Sequence, residues 1–154
     1  MSEPRAFTIR PARPSDAGSM QQVASEAYQR YVNRIGRRPR PMTADYDRIA
    51  KSGHAWVAEE DGRIVGLLVL KPADDHMLLE NVAVAPHAQG LGAGARLLQV
   101  AEEQARAHEL PEVRLYTNEA MIENLAYYPR RGYHETHRST QDGFRRVFFS
   151  KTIV

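Results

Sequence analysis

The 154-residue chain has no cysteine, which removes disulfides, a thiolate nucleophile and thiolate metal sites together. Any acyl transfer must then proceed without a cysteinyl intermediate. No apolar run approaches the roughly 20 residues needed to span a bilayer, and the opening stretch MSEPRAFTIRPARP lacks the apolar core of a signal peptide. A soluble, cytoplasmic protein with no membrane partner is therefore expected. A large charge excess is also missing: 21 basic and 19 acidic side chains leave a formal net charge of +2, which gives nucleic acid little support as a partner. Six histidines are scattered, and the odd spacing of His134 and His137 puts them on opposite faces of a strand, so no metal site is expected. What is present, 42% hydrophobic and 26% charged residues without repeats or low-complexity tails, suits one globular domain over residues 1–154.

Periodicity predicts a strand at 7–10 and then a helix opened by Pro14, Ser15 and Asp16, whose apolar positions Val23, Ala27, Tyr31 and Ile35 recur every four residues up to Gly36. Two prolines in RRPRPM (37–42) predict an extended segment, and Thr43 is expected to cap a short helix through Asp45, Tyr46 and Ile49. Residues 54–70 read as two strands joined at Asp61-Gly62, the second apolar at nearly every position and so covered on both faces. A strand at 77–84 precedes a helix from about Gly92 to His108 with the stripe Ala93, Leu97, Ala101 and Ala105. A strand at 112–117, a helix at 123–131 and a hairpin turning at Asp142-Gly143 complete the order βααβββαβαββ. Such an order implies an α/β chain of the α+β type, a mixed and mostly antiparallel sheet with helices packed over it.

The most informative stretch is LLENVAVAPHAQGLGAGARLL (78–98): an apolar strand, a proline stop at Pro86, a glycine-spaced turn and an amphipathic helix. That order builds a nest of backbone N–H groups at a helix N-terminus, which favours an anion without any charged side chain. A phosphorylated ligand is expected. Gly90, Gly92 and Ala95 formally satisfy the dinucleotide pattern G-x-G-x-x-A. The context opposes it, because the strand is the fourth in the chain, four residues from Pro86 separate it from the first glycine, and no acidic residue closes the strand at 112–117. No Gly-Lys-Ser/Thr follows, which excludes a P-loop.

The remaining pattern, Gln89-Gly90-Leu91-Gly92-Ala93-Gly94 directly after Val82-x-Val84-x-Pro86, resembles the acetyl-coenzyme A signature of the GNAT superfamily of N-acetyltransferases. Tyr128 followed by Gly132 and Tyr133 resembles that superfamily's Tyr-x-x-x-Gly-Phe element, and the likeness extends over nearly the whole chain. The resemblance implies about seven strands flanked by about four helices, with the sheet splayed between strands 4 and 5. It implies acetyl transfer from acetyl-coenzyme A to a primary amine of a small molecule, or second to a peptide, by direct attack in a ternary complex. A homodimer is expected by analogy alone. Amides of Gln89, Gly90, Leu91, Gly92, Ala93 and Gly94 would cradle the pyrophosphate. Val82, Ala83 and Val84 would form the edge along which pantetheine pairs, the backbone groups of Val82 and Val84 facing one side and those of Ala83 the other.

For chemistry, a lysine-like amine with a pKa of about 10.4 needs a base or a desolvating pocket at neutral pH. Glu80, two residues before Val82 on the same strand face, is the candidate base acting through water; its alternative role is an ion pair with an arginine. Tyr128 matches the position of a phenol that protonates the departing sulfur, the alternative being a core aromatic. Two departures stand out. Met121 occupies the position where the superfamily often has asparagine, so Asn124, one turn before Tyr128, is the substitute pantetheine contact; and Pro129 predicts a kink if its helix begins well before Asn124. The acceptor is expected under the stretch 28–46, with Tyr28, Tyr31, Arg34, Met42 and Tyr46 as candidate contacts, a composition that suits a lid over a small, anionic acceptor; the alternative is a solvated basic loop. The competing function is a noncatalytic acyl-coenzyme A sensor on the same fold.

Overall fold

The computed structural model describes residues 6–153. Strand β1 (Thr8–Pro11) leads into α1 (Ala17–Tyr28), α2 (Val32–Ile35), α3 (Arg40–Thr43) and α4 (Tyr46–Lys51). Strands β2 (Ala55–Glu60), β3 (Arg63–Pro72) and β4 (Met77–Val84) follow, then α5 (Ala93–Ala107), β5 (Glu112–Asn118), α6 (Ile122–Arg130), β6 (His134–Gln141) and β7 (Phe144–Thr152). The seven strands form one sheet in the order β1-β2-β3-β4-β5-β7-β6. Among these strands only β4 and β5 run parallel. The four longer helices account for the four expected, and the four-residue α2 and α3 are additional.

Both faces of β3 are covered, as its unbroken apolar run requires. Val65, Leu68 and Leu70 pack with Leu97 and Ala101 of α5, while Leu67 and Val69 pack with Met20 and Val23 of α1 and Ala50 of α4. The two short hairpins turn where positive φ is tolerated, at Asp61 (52°) with Gly62 (77°) and Asp142 (53°) with Gly143 (78°).

The segment between α1 and α4 departs from the pattern. The predicted continuous helix is broken by a 3-10 turn at Gln29–Tyr31. That tighter winding brings positions three apart into line, and Tyr28 and Tyr31 meet with ring centroids 6.3 Å apart. The segment 37–42 is not wholly extended, because α3 begins at Arg40. Pro41 sits in the first helical turn, where an N–H would have no intrahelical acceptor in any case. Asp45, not Thr43, caps α4, its carboxylate accepting from the Arg48 amide over 3.2 Å. Thr43 is the last residue of α3 and donates back to the Arg40 carbonyl. Helix α6 starts at Ile122 and runs through Pro129, which falls in its last turn; the lost bond to Leu125 lies where the helix is ending anyway.

One feature of the sheet positions the site. β4 and β5 are joined only at Met77 with Val113, Leu78 with Arg114 and Leu79 with Leu115, and beyond that they diverge. At the point of divergence β4 carries a bulge, since Leu79 faces Leu70 and Asn81 faces Val69, which leaves Glu80 as the extra residue. The bulge inverts the alternation of faces. Met77 and Leu79 belong to the α5-side core, whereas beyond it Ala83 joins the α1-side core and Val82 and Val84 pack on the α5 side. Glu80 therefore does not share a regular face with Val82. Among the described residues no helix is long and apolar enough to cross a membrane.

Candidate active site

Past the bulge, β4 pairs with β3 on one side and with no described strand on the other. Antiparallel pairing alternates, and the Ala85 amide donates to Val65 O over 2.8 Å, so Ala83 directs its backbone groups to β3 and Val82 and Val84 direct theirs into the gap. Side chains reach these carbonyls from the gap: the Tyr28 hydroxyl donates to Val82 O at 3.3 Å and Gln89 Nε2 donates to Val84 O at 2.9 Å. The expected edge is thus present, and Gln89 spends its amide on that edge.

The turn after β4 takes its shape from two glycines in the left-handed region, Gly90 (φ 77°) and Gly92 (φ 100°), the second capping α5. The first-turn amides of α5 have no helical acceptor behind them and carry the positive end of the helix dipole. Together they floor a groove of about 410 Å³ whose lining includes Val82, Val84, Gln89, Gly90, Gly92 and Gly94. Leu91 is exposed and Ala93 is buried, and neither lines this groove. Arg130 and Arg131 line the groove and add positive charge, with Arg131 set 5.2 Å over the Tyr127 ring, whereas Arg30 pairs at 3.6 Å with Glu123, which lines the groove too.

A second cleft, about 270 Å³, lies on the other side of the splay. The two share Tyr28, Val82, Asn124 and Tyr128, so they meet at the open strand edge. Glu80 lines this second cleft and is exposed. Tyr128 is 7% exposed and held by the rings of Tyr127, Tyr133 and Phe149 at 5.5–5.8 Å. Burial raises its phenol pKa above the ordinary value, with the neighbouring Tyr127 and Tyr31 adding to the rise, so the hydroxyl keeps its proton at neutral pH. Asn124 Nδ2 donates to Thr117 Oγ1 over 3.1 Å, and the Thr117 hydroxyl donates to the Met121 sulfur at 3.3 Å. Met121 is buried there as the N-cap of α6.

The acceptor candidates divide. Tyr28 and Tyr46 line the second cleft, whereas Tyr31 lines the groove beside the glycine turn. Arg34 lines neither and pairs with Glu123 at 2.6 Å. Met42 is buried away from both. Arg40 and Arg37 reach across to the β6–β7 turn, Arg40 pairing with Asp142 at 2.5 Å and Arg37 donating to the Asp142 carbonyl while stacking 3.5 Å over Phe144. Sequence reasoning did not single out Asn81, Tyr116 or Arg146, all of which line the second cleft. Asn81 had a signal, a polar residue interrupting the apolar run of β4; Arg146 had none, because the two arginines of FRRVFF look alike until the strand is paired.

Residues 19–133, well over half of the chain, match the family described as Acetyltransferase (GNAT) family. Over 81 residues the chain is 35% identical to Probable N-acetyltransferase camello of Xenopus tropicalis, covering 51% of this chain and 37% of that protein. The matched stretches span less than half the length of the curated relatives. The fold is similar to that of PaiA N-acetyltransferase from Thermoplasma acidophilum in complex with coenzyme A, with a TM-score of 0.77, 18% identity and coverage of 96% of this chain and 99% of that one. It is likewise similar to an acetyltransferase of the GNAT family from Staphylococcus aureus Mu50, with a TM-score of 0.80, 18% identity and coverage of 97% and 100%. A sheet opened between parallel strands, a glycine nest at the following helix and a sequence match spanning both agree: the chain belongs to the GNAT acetyltransferase family.

Proposed function

We propose that this protein moves an acetyl group from acetyl-coenzyme A to the primary amine of a small molecule, by direct attack while both are bound. The observation that carries this is the meeting of two clefts at Tyr28, Val82, Asn124 and Tyr128. The first cleft fits the cosubstrate: left-handed glycines and free helix amides suit a pyrophosphate, unpaired Val82 and Val84 amides suit an extended amide-bearing arm, and Arg130 and Arg131 suit further phosphate charge. Bound there, acetyl-coenzyme A supplies an activated acetyl thioester.

The residues of the chain do the rest. Glu80 has no lysine, arginine or histidine partner within ion-pair distance among the described residues, so its carboxylate is available to take the proton of an incoming ammonium through water. An amide of Val82 or Val84 points into the gap and donates to the carbonyl oxygen as charge grows on it. Tyr128, protonated because it is buried, hands its proton to the departing sulfur and regains one from the attacking nitrogen, which sheds a second proton as the amide forms. The second cleft, about 270 Å³ and lined in part by Arg40, which Asp142 holds, favours a small acceptor over a peptide. A panel of amines assayed by thiol release tests the proposal: Glu80→Gln and Tyr128→Phe should lose turnover while retaining coenzyme A affinity. Coenzyme A binding by the unmodified protein without thiol release from any amine would instead support a sensor.

A further inference from the structure

Arg146 lies on β7, 8% exposed, and lines the second cleft. Its guanidinium sits 4.3 Å over the Tyr116 ring and 5.8 Å from the Phe144 ring, and Nη1 donates to Gln141 Oε1 at 2.7 Å. Among the described residues it has no carboxylate within ion-pair distance, unlike Arg40, which lines the same cleft and which Asp142 neutralises. A buried cation without a counter-ion is costly, and a guanidinium has five N–H donors, of which the protein engages one through the Gln141 bond. Set over the Tyr116 ring and tied by Gln141, the planar fork is held in place before any ligand arrives, which suits two-point binding of a carboxylate.

The opposite wall carries the complementary group. Glu80, also unpaired, stands on β4, and β5 alone separates β4 from β7 in the sheet order. Two strand spacings amount to about 10 Å; the divergence past Leu79 and the register of Arg146, opposite Asn118, lengthen the separation, but both residues line the same cleft, so one small molecule met by the long arginine side chain can touch both. We propose that the acceptor is an amino acid: its amine lies toward Glu80 and its carboxylate is bound by Arg146. This rests on the acetyl-transfer reading of the same cleft and names the substrate class within it.

The test is calorimetric titration of coenzyme A-saturated protein with the twenty common amino acids, β-alanine and 4-aminobutyrate, each against its own carboxamide. At least one acid should bind about tenfold or more tightly than its amide, since a site built for a polar group rejects the analogue that lacks it. Arg146→Gln should erase that preference with coenzyme A affinity unchanged, and Arg146→Lys should retain part of it. Equal binding of acids and amides by the unmodified protein, no binding of any acid, or a preference that survives in Arg146→Gln would overturn the assignment. Should Arg146→Gln not fold, the acid-against-amide comparison in the unmodified protein still decides. Coenzyme A titrated alone separates the two readings: binding without acid preference removes only the carboxylate subsite, whereas no binding removes acetyl transfer as well.

Discussion

The Tyr28 hydroxyl donates to Asn81 Oδ1 over 2.6 Å, tying the end of α1 to the strand just past the bulge. The chain of bonds continues, with Asn81 Nδ2 donating to the Tyr46 hydroxyl at 3.2 Å and Tyr46 donating to Pro41 O at 2.5 Å. One amide side chain thus connects α1, β4, α4 and α3, the elements that roof the second cleft. The bulge makes this possible, because it turns Asn81 inward at the point where β4 leaves β5.

Asn81→Leu keeps the branching and the number of heavy atoms and removes both ends of the link. Tyr46 then loses a donor and the nearly buried Tyr28 hydroxyl its best acceptor, so stability should fall by about 1–3 kcal/mol in urea unfolding. The acceptor KM should rise with it, because Tyr28 and Tyr46 line the cleft. An unchanged unfolding midpoint would mean that the network contributes nothing net.

Tyr128→Phe isolates the proposed proton donor. Its hydroxyl makes no hydrogen bond to another described residue, so removing it should leave stability nearly unaltered. A lost general acid costs about 10²–10⁴ in rate, and kcat should fall by that order with the KM for acetyl-coenzyme A unchanged. Burial raises the phenol pKa, so kcat should show no alkaline decline from Tyr128 near the ordinary tyrosine value of about 10. A decline there that disappears in Tyr128→Phe would mean that the phenol is solvated.

The strands and the glycine turn were legible because they rest on local rules: period-two alternation, Asp-Gly turns and the φ requirement of Gly90 and Gly92. The groove proposed for the cosubstrate follows, since the amides that floor it are fixed by that local conformation. The second cleft was only half legible. Its residues come from α1, α3, α4, α6, β3, β4, β5 and β7, and which arginine turns inward depends on pairing and bulges that no short window contains. Arg34 and Arg146 show this: the first lies in the basic stretch and is spent on Glu123, the second lies in an ordinary strand and faces the cleft.

Tyr133→Phe should stabilise the protein. The Tyr133 hydroxyl is buried without a hydrogen-bond partner among the described residues, and an unsatisfied buried polar group costs about 1–3 kcal/mol. Burial, with Glu102 adding to it, raises this phenol above the ordinary tyrosine range. The folded state therefore favours the protonated form: this contribution is complete below an unfolded pKa of about 10 and is lost as pH rises toward the folded value. Melting temperature followed from pH 8 to pH 11 should fall above pH 10 in the unmodified protein, and less steeply in Tyr133→Phe. A lower melting temperature for the variant at pH 8 would show that the hydroxyl has a partner, such as water.

The two glycines of the nest make a paired test of how closely the phosphates approach. Gly92 has a φ of 100° and open space where a Cβ would stand, so Gly92→Ala meets no clash and is penalised through the backbone alone. The penalty should be about 1–2 kcal/mol, and coenzyme A affinity should drop as the nest relaxes. Gly94 lies inside α5 without a positive φ, and a Cβ there would rest in ordinary contact 3.5 Å from the Tyr127 hydroxyl. Gly94→Ala should raise stability by about 0.5–1 kcal/mol through helix propensity. If a diphosphate lies against the Gly94 amide, the added methyl occupies its space, and coenzyme A affinity falls about tenfold or more even though the fold is firmer. Opposite movements of stability and affinity in that single variant separate close approach from helix stiffness; a firmer protein with unaltered affinity would place the phosphates nearer Gly90 and Gly92.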